Sequence, residues 1–504
     1  MENLPFLLRP HALLCPSLPL ASALNSRTQA TSIPRRRGTR LSTSAGAAKT
    51  TLRTKESAAS SSDGEVDAFD WLDQWYPFAP VCNLDPRAPH GKMVLGLNVV
   101  AWHDRGAGEW RVFDDACPHR LAPLSEGRVD DKGRLQCAYH GWCYDGAGAC
   151  KFIPQAPALS GPRKACVASY PCVVQNKILW FYPRTEAEYK DVLQRKRPPY
   201  IPEIDDSSYF TAFGMRDLNY GHDSLLENII DPAHLPYAHK GQLPKSSVWD
   251  QEGGEPIKMK IEEESVTGFL CAIQGGSTRF TAPCTYRGTC GCAVRRVHPN
   301  RFQAYLCIPV APGRSRIIYG FPCNSGSWVD KIMPRWFIHL NQNSVLDSDH
   351  YLLHLEERKY AEKGLDNCRD ACYLPTLSDR MVVAFRNWFR KHCKNRIGWA
   401  TSQPIELPPV LPKDRLLERY WSHVVQCTSC STALKAMKAL EVALQVASIA
   451  VVGFLAVAKG TLVMSTVQRT LVVSAAVLCL AASRWLADFI EKNFYFQDYV
   501  HADK

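Results

Sequence analysis

The first 55 residues almost lack acidic side chains. Glu2 is the single acid there, beside seven Arg, two Lys and many Ser and Thr. An acid-poor leader rich in Arg and Ser is typical of an organellar transit peptide, with an ordinary disordered tail as the alternative. Because most of the net charge of +11 lies in this leader, the rest of the chain has too little positive charge to indicate a nucleic-acid-binding surface.

Three further absences exclude other classes of protein. No convincing Gly-rich dinucleotide fingerprint follows a predicted strand, so a redox enzyme of this sequence must receive its electrons from outside. A mean hydropathy of −0.22 excludes a polytopic membrane protein but permits one or two spans. The chain of 504 residues is far too long for a small disulfide-held domain, so most of its 20 Cys are expected to be reduced core residues.

Two folded domains are predicted after a polar linker at 56–68. Short segments rich in β-branched and aromatic residues, bounded by Gly, Pro or Asp, indicate an all-β domain over 69–185. Residues 186–400 combine predicted strands with helical stretches at Tyr220–Ile230 and Trp336–Ala361. The second domain is therefore expected to be α+β.

Two apolar segments near the end of the chain predict a helical hairpin that anchors the protein to a membrane. Val442–Ala458 is at the short end for a spanning helix, and Leu471–Ser483 ends at Arg484, which needs a partner or water. A buried hairpin or a helix in the membrane plane is the alternative. The last three predicted segments are a linker at 401–435, the hairpin at 436–492 and a tail at 493–504.

Two loops each offer one thiol and one imidazole: Cys117 with His119, and Cys137 with His140. Two thiolates and two imidazoles can bind zinc, or a [2Fe–2S] cluster with one iron on sulfur and the other on nitrogen. A zinc finger pairs Cys with Cys and His with His, whereas both loops here are mixed. The spacing therefore favours the cluster.

A second group of ligands surrounds His234 and His239. On one unbroken helix their side chains would diverge by about 140°, but Pro236 disfavours helix at Leu235, so we expect the chain to turn there. Two imidazoles and one carboxylate form the facial triad of non-haem Fe(II) oxygenases. Asp231, one helical turn before His234, is expected to contact that ring.

The third ligand must come from a distant element. In the helical stretch Val345–Glu357, Asp347 and Asp349 lie among Leu and His. Carboxylates in an apolar-rich helix are costly unless they are paired or bind a metal. We predict Asp349 as the ligand, with Asp347 as the second choice and solvated acids as the alternative.

Together these ligand sets resemble those of the Rieske non-haem iron oxygenases. The strings Cys117–Gly127 and Leu226–His234 are similar to the branch typified by pheophorbide a oxygenase, which includes chlorophyllide a oxygenase and two chloroplast import components. Asp347–Lys359 and Asp498–His501 most resemble the protochlorophyllide-oxidising members. The resemblance runs from about Asp70 to the end of the chain.

The resemblance implies an all-β Rieske [2Fe–2S] domain, a helix-grip-like catalytic domain with mononuclear iron, and a membrane hairpin. Such enzymes are trimers in which the cluster of one subunit supplies electrons to the iron of the next. It assigns the bridge between the two centres to Asp231, iron binding to His234, His239 and Asp349, and a place near the iron to Asn228.

The resemblance also implies a reaction. Electrons from reduced ferredoxin and O2 would oxidise a methyl group of a tetrapyrrole, protochlorophyllide or chlorophyllide a, to the formyl group of the b form. Ring opening of pheophorbide a and a redox-sensing role in chloroplast import stay open. The implied location is a chloroplast membrane, the inner envelope rather than the thylakoid, reached through the transit peptide. One departure from the family is Lys240, where an aromatic residue is expected near the substrate.

A last motif, Cys427-Thr-Ser-Cys430, precedes the apolar segments. It can be a dithiol switch, half of a zinc site, or a pair of structural thiols. There is no second CxxC, and Cys290-Gly-Cys292 is too tightly spaced to complete a zinc site. In the family the pair resembles a dithiol addressed by thioredoxin, so redox regulation is our prediction.

Overall fold

The computed structural model describes residues 68–156, 163–242, 256–273, 276–289, 302–324, 332–364, 372–404, 406–458 and 464–503. The predicted transit peptide, nearly all of the first linker, and the Cys290-Gly-Cys292 motif lie outside these residues. From Gly64 to Lys504 the chain forms one compact unit.

The predicted all-β domain is confirmed by eleven strands that form three small antiparallel sheets. The strand orders are β1-β11-β10, β2-β3-β4-β9 and β5-β6-β7-β8. The strands are β1 (Tyr76–Pro80), β2 (His90–Val94), β3 (Leu97–Asp104), β4 (Glu109–Asp114), β5 (Arg128–Val129), β6 (Leu135–Gln136), β7 (Cys143–Tyr144), β8 (Cys150–Phe152), β9 (Ser169–Tyr170), β10 (Cys172–Gln175) and β11 (Ile178–Phe181).

The catalytic part is built on one seven-stranded antiparallel sheet. Its order is β12-β18-β17-β16-β15-β14-β13, so the first strand pairs with the last and the others form a meander. The strands are β12 (Phe213–Leu218), β13 (Met259–Ser265), β14 (Gly268–Ile273), β15 (Gly276–Thr281), β16 (Thr285–Thr289), β17 (Phe302–Ala311) and β18 (Arg314–Gly320).

Helices cover this sheet and extend beyond it. The helices are α1 (Val192–Arg195), α2 (Pro202–Asp205), α3 (His222–Ile230), α4 (Leu235–Ala238), α5 (Arg335–Lys363), α6 (Arg380–Cys393), α7 (Lys413–Leu416), α8 (Thr428–Ala458) and α9 (Thr466–Ile490). Helix α3 packs on β17 and β18, α5 on β12, and α6 on β13. The two predicted helical stretches correspond to α3 and α5, and the α+β class is confirmed.

One hydrophobic core joins the all-β and catalytic parts. It contains Trp71 and Trp180 from the first part and Phe213, Phe280 and Trp388 from the second. Because the two parts share this core, the apolar surface that each buries supports the other. The predicted boundary between them, at 185, stays a prediction.

Helix α5 meets the sheet through polar side chains. Its buried residues Asn343, Asp347 and His354 lie four and seven positions apart, on one face of the helix. His354 Nδ1 donates to the carbonyl of Asn219 at 2.5 Å, and His354 Nε2 accepts from the backbone N–H of Leu411 at 3.1 Å. These bonds fix the position of α5 along the sheet.

Asp347 is the charged centre of this polar face. Arg216 of β12 contacts Asp347 Oδ1 at 2.6 Å, and Arg419 contacts Oδ2 at 2.5 Å and 2.8 Å. All three side chains are at most 2% exposed. A carboxylate can be buried at this depth because two guanidinium groups share its charge.

Helices α8 and α9 pack against each other as the predicted hairpin. Each is long and apolar enough to cross a membrane, and only 6% and 17% of the residues in their most apolar windows are buried. A hairpin buried in a soluble core would have most of these residues covered. The exposed apolar surface therefore agrees with a membrane-facing hairpin.

We predict that Asp347→Asn destabilises the protein by about 3–5 kcal/mol, because it leaves two buried guanidinium groups without a full counter-charge. Chemical denaturation of the detergent-solubilised chain measures this change. Glu362→Gln on the same helix is the matched control, because its exposed ion pair with Lys359 is expected to contribute less than about 1 kcal/mol. Equal stability of the two variants would contradict the role assigned to Asp347.

Candidate active site

Two loops with the same backbone hydrogen bonds present the first set of predicted ligands. In each loop the cysteine backbone bonds to the residues four and five positions later, at 2.8 to 3.1 Å: Leu121 and Ala122 after Cys117, and Gly141 and Trp142 after Cys137. The residue four positions on has a positive φ in both loops, 59° at Leu121 and 75° at Gly141. Glycine adopts this conformation without the steric cost that a Cβ adds.

The two loops divide their ligands by depth. The thiols of Cys117 and Cys137 are 2% and 1% exposed, whereas His119 is exposed and His140 is half-buried. The imidazole ring centroids lie 4.4 Å apart, and Trp142 stacks on His119 at 4.7 Å. This arrangement fits a [2Fe–2S] group with its sulfur-bound iron inside and its nitrogen-bound iron at the surface.

The second set of ligands surrounds the short helix α4. The chain does not turn at Leu235 as predicted; it leaves the helix at Asp231, which precedes Pro232 and has extended φ and ψ of −93° and 105°. Pro236 lies in the first turn of α4, where proline is tolerated because that N–H needs no helical partner. His234 and His239 flank this turn, and their ring centroids are 5.1 Å apart.

Helix α5 supplies a carboxylate to this pair. Asp349 Oδ2 lies 3.5 Å from His239 Nε2, and Oδ1 lies 4.0 Å from His234 Nε2. One ligand atom from each of the three residues can be chosen so that all lie within 4.8 Å of one another. The second choice, Asp347, is absent from this group because its carboxylate is paired with Arg216 and Arg419.

Ser348 fixes the tautomer of His239. Its hydroxyl donates to the carbonyl of Val345 at 2.6 Å and lies 2.7 Å from His239 Nδ1. Because a hydroxyl carries one proton, Ser348 must accept the bond from Nδ1–H. The unprotonated nitrogen of His239 is therefore Nε2, which faces Asp349. A neighbour that orients a ligand histidine in this way is typical of metal sites.

The two remaining predicted residues lie beside His234. Asp231 Oδ2 is 3.6 Å from His234 Nδ1, and Asn228 Nδ2 is 3.4 Å from His234 Nε2. The side chain of Asp231 is 27% exposed. It can therefore contact His234 and still reach a group outside its own chain.

The electrostatics of the three-residue group fit a bound dication. Burial raises the pKa of Asp349 to about 6, so its charged form is penalised when no cation is near. Burial and the neighbouring His234 lower the pKa of His239 to about 3, so its ring is neutral, as a ligand must be. A divalent ion would compensate the carboxylate and accept both imidazole lone pairs.

The end of the chain also lies at this centre, which the sequence interpretation did not predict. Tyr499 donates its hydroxyl proton to the carbonyl of Ala238 at 3.2 Å. The buried His501 Nε2 is without a hydrogen-bond partner among the described residues, and His501 is near enough to His239 to lower its pKa further. In the sequence, only the resemblance of Asp498–His501 drew notice to this segment.

Two further predicted positions lie away from these centres. Lys240, next to His239, has an exposed side chain. Cys427 and Cys430 are both buried, at 1% and 2% exposure, beside the beginning of α8. Their redox role stays a prediction.

Comparison with known families and structures agrees with this arrangement. The Rieske [2Fe-2S] domain model matches residues 74–171, and the pheophorbide a oxygenase model matches residues 280–366. A crystal structure of dicamba monooxygenase bound to 3,6-dichlorosalicylic acid has a TM-score of 0.51 and 18% identity, and covers 65% of this chain and 99% of its own. That likeness supports the fold.

Curated relatives cover most of the chain. Protochlorophyllide-dependent translocon component 52 of Arabidopsis thaliana is 45% identical, and flavonoid 8-hydroxylase 2 of Ocimum basilicum is 44% identical, each over 86% of both chains. Pheophorbide a oxygenase of Arabidopsis thaliana is 34% identical over 90% of this chain and 88% of its own. With the ligand geometry described above, these matches show that the chain belongs to the Rieske non-haem iron oxygenases of the pheophorbide a oxygenase family, with a [2Fe–2S] cluster and a mononuclear iron as cofactors.

Proposed function

We propose that this protein is a chloroplast oxygenase that oxidises a methyl group of a chlorophyll-type tetrapyrrole, protochlorophyllide or chlorophyllide a, to a formyl group. The observation that carries the proposal is the convergence of His234, His239 and Asp349, together with a relative whose name links it to protochlorophyllide. Reduced ferredoxin would supply the electrons.

Several residues of this chain would prepare the iron centre. When bound, the cluster passes on single electrons and the mononuclear iron activates O2. Ser348 keeps His239 Nε2 free to bind metal, and Asp231 orients His234. The Asn228 amide lies within 3.4 Å of His234 Nε2, so it can hold a polar group at the open side of the site.

We further propose that the chain acts as a homotrimer on a chloroplast membrane, the inner envelope. The exposed edge of His119 and the partly exposed Asp231 suit a contact between the cluster of one subunit and the iron of the next. Helices α8 and α9 would hold the catalytic part at the membrane, where a lipophilic pigment is dissolved.

A second candidate substrate class is the flavonoids. The relative named flavonoid 8-hydroxylase 2 is 44% identical over 86% of this chain, nearly the identity of the first relative. Hydroxylation of an aromatic ring would need the same iron ligands. Ring opening of pheophorbide a and redox sensing in protein import remain alternatives, but complete ligand sets at both centres favour turnover over sensing alone.

A single-turnover experiment separates these functions. The chemically reduced holoenzyme is mixed with O2 and with protochlorophyllide a, pheophorbide a or a flavone in parallel, and products are identified by mass spectrometry. A formyl pigment supports the proposal. A linear pigment or a hydroxylated flavone assigns the corresponding alternative, and no product from a fully iron-loaded enzyme contradicts oxidation of all three.

We expect His234→Ala to abolish this product and to lose the mononuclear iron, because two ligands bind the ion far more weakly than three. The cluster, built from other loops, should keep its electron paramagnetic resonance signal. His103→Ala, the same change on strand β3, is the control and should retain product. Undiminished turnover in His234→Ala would contradict the assigned iron site.

Ser348→Ala should weaken iron binding by about 10- to 100-fold, because His239 loses the acceptor that fixes its tautomer. Competition with an iron chelator measures this affinity. Ser348→Thr keeps the hydroxyl and is expected to bind iron close to the wild-type affinity. If both variants bind iron equally weakly, packing at this position, and not the hydrogen bond, is what matters.

A further inference from the structure

Four buried side chains from separate parts of the sequence meet beside the beginning of helix α8. They are His339 of α5, His423, and the two thiols of Cys427 and Cys430. One ligand atom from each lies within 4.8 Å of all the others. The sequence interpretation paired these cysteines with no histidine, since His339 is 88 and 91 positions away from them.

Backbone carbonyls of β12 fix the tautomers of both histidines. His339 Nε2 is 3.0 Å from the carbonyl of Phe213, and His423 Nδ1 is 2.6 Å from that of Met215. A carbonyl only accepts, so these nitrogens carry the protons. The lone pairs are therefore on His339 Nδ1 and His423 Nε2, which are the nitrogens that face the sulfurs. Burial lowers the pKa of His423 to about 4, so its ring is neutral.

The distances match those of a tetrahedral metal site. His339 Nδ1 lies 3.3 Å from Cys430 Sγ and 3.5 Å from Cys427 Sγ, and His423 Nε2 lies 3.3 Å from Cys430 Sγ. Around zinc, bonds of about 2.3 Å to sulfur and about 2.0 Å to nitrogen place these atoms about 3.6 Å apart. A small inward or outward shift of each side chain would complete the site.

The local field suits two thiolates. Cys427 directly precedes α8, and its carbonyl accepts from the N–H of Ser431 at 2.9 Å; Cys430 lies in the first turn. The positive end of the dipole of this 31-residue helix favours negative charge at both sulfurs. Arg335, which donates to Thr428 Oγ1 at 3.1 Å, adds positive charge nearby.

We propose that His339, His423, Cys427 and Cys430 bind one Zn²⁺ in a closed structural site. Two thiolates and a dication sum to zero charge, which a fully buried site requires. Four protein ligands leave no position for water or substrate, and a tetrahedral set of two sulfurs and two nitrogens is typical of structural zinc.

The site would fasten the membrane hairpin to the catalytic part. His339 belongs to the helix that carries Asp349, ten residues or about 15 Å further along, while Cys427 and Cys430 begin α8. Bound zinc would also keep both thiols from forming a disulfide. On this proposal, the CxxC motif is half of a metal site and not a freely accessible dithiol.

Zinc analysis of the purified full-length holoenzyme tests the proposal. We expect about one zinc atom per chain beside the iron, and less than about a tenth of that in Cys427→Ser/Cys430→Ser. Cys393→Ser, which changes a buried cysteine of the main core, is the matched control and should retain zinc. A wild-type chain that is loaded with iron and contains no zinc would overturn the proposal.

Cobalt substitution of the wild-type chain tests the ligands without relying on a variant that folds. Co²⁺ in this site should give sulfur-to-metal charge-transfer absorption and the intense visible bands of tetrahedral cobalt. Co²⁺ bound by His234, His239 and Asp349 has no sulfur ligand and lacks the charge-transfer band. Absence of that band, or recovery of a Cys427–Cys430 disulfide from the untreated chain by mass spectrometry, contradicts the zinc site and supports the redox dithiol.

Discussion

The buried ion pair of Asp347 with Arg216 and Arg419 is the interaction on which the rest of the catalytic part depends. It fixes α5 against strand β12, both along its axis and in its rotation. Once that position is set, the helical period directs Asp349 toward His234 and His239, and His339 toward the beginning of α8. A helix held only by apolar contacts could slide or rotate with little loss, whereas two guanidinium groups on one carboxylate leave a single arrangement.

The two iron centres of the family are built in different ways, and each way fits its chemistry. The cluster ligands come from two short loops of equal backbone geometry, so their spacing is local and the imidazoles reach the surface, where electrons enter and leave. The mononuclear ligands come from a helical turn and from a helix more than a hundred residues later. Ser348, Asn228 and Asp231 orient them, as expected for a site that must keep positions open for O2 and substrate.

Helix α5 also links the iron centre to the membrane-facing hairpin. Its beginning contributes His339 to the proposed zinc site, and its middle contributes Asp349 to the iron site. The last residues of the chain, after α9, return to the same iron centre through Tyr499 and His501. The hairpin is therefore fastened to the catalytic part at both of its ends, by the thiols before α8 and by the tail after α9.

The sequence by itself determined the class of the all-β domain, the cluster ligands and the histidine pair, because these depend on spacings within one loop or one turn. It also determined the apolar hairpin, whose composition is local. Only the tertiary structure decided between Asp347 and Asp349, since both lie on a helix whose buried face is polar and whose hydrophobic pattern therefore does not reveal what it contacts. It also moved the chain break from Leu235 to Asp231, because tertiary packing accepted Pro236 in a first turn. The meeting of His339 and His423 with the CxxC thiols and the return of His501 required the fold, because no local pattern links residues that far apart.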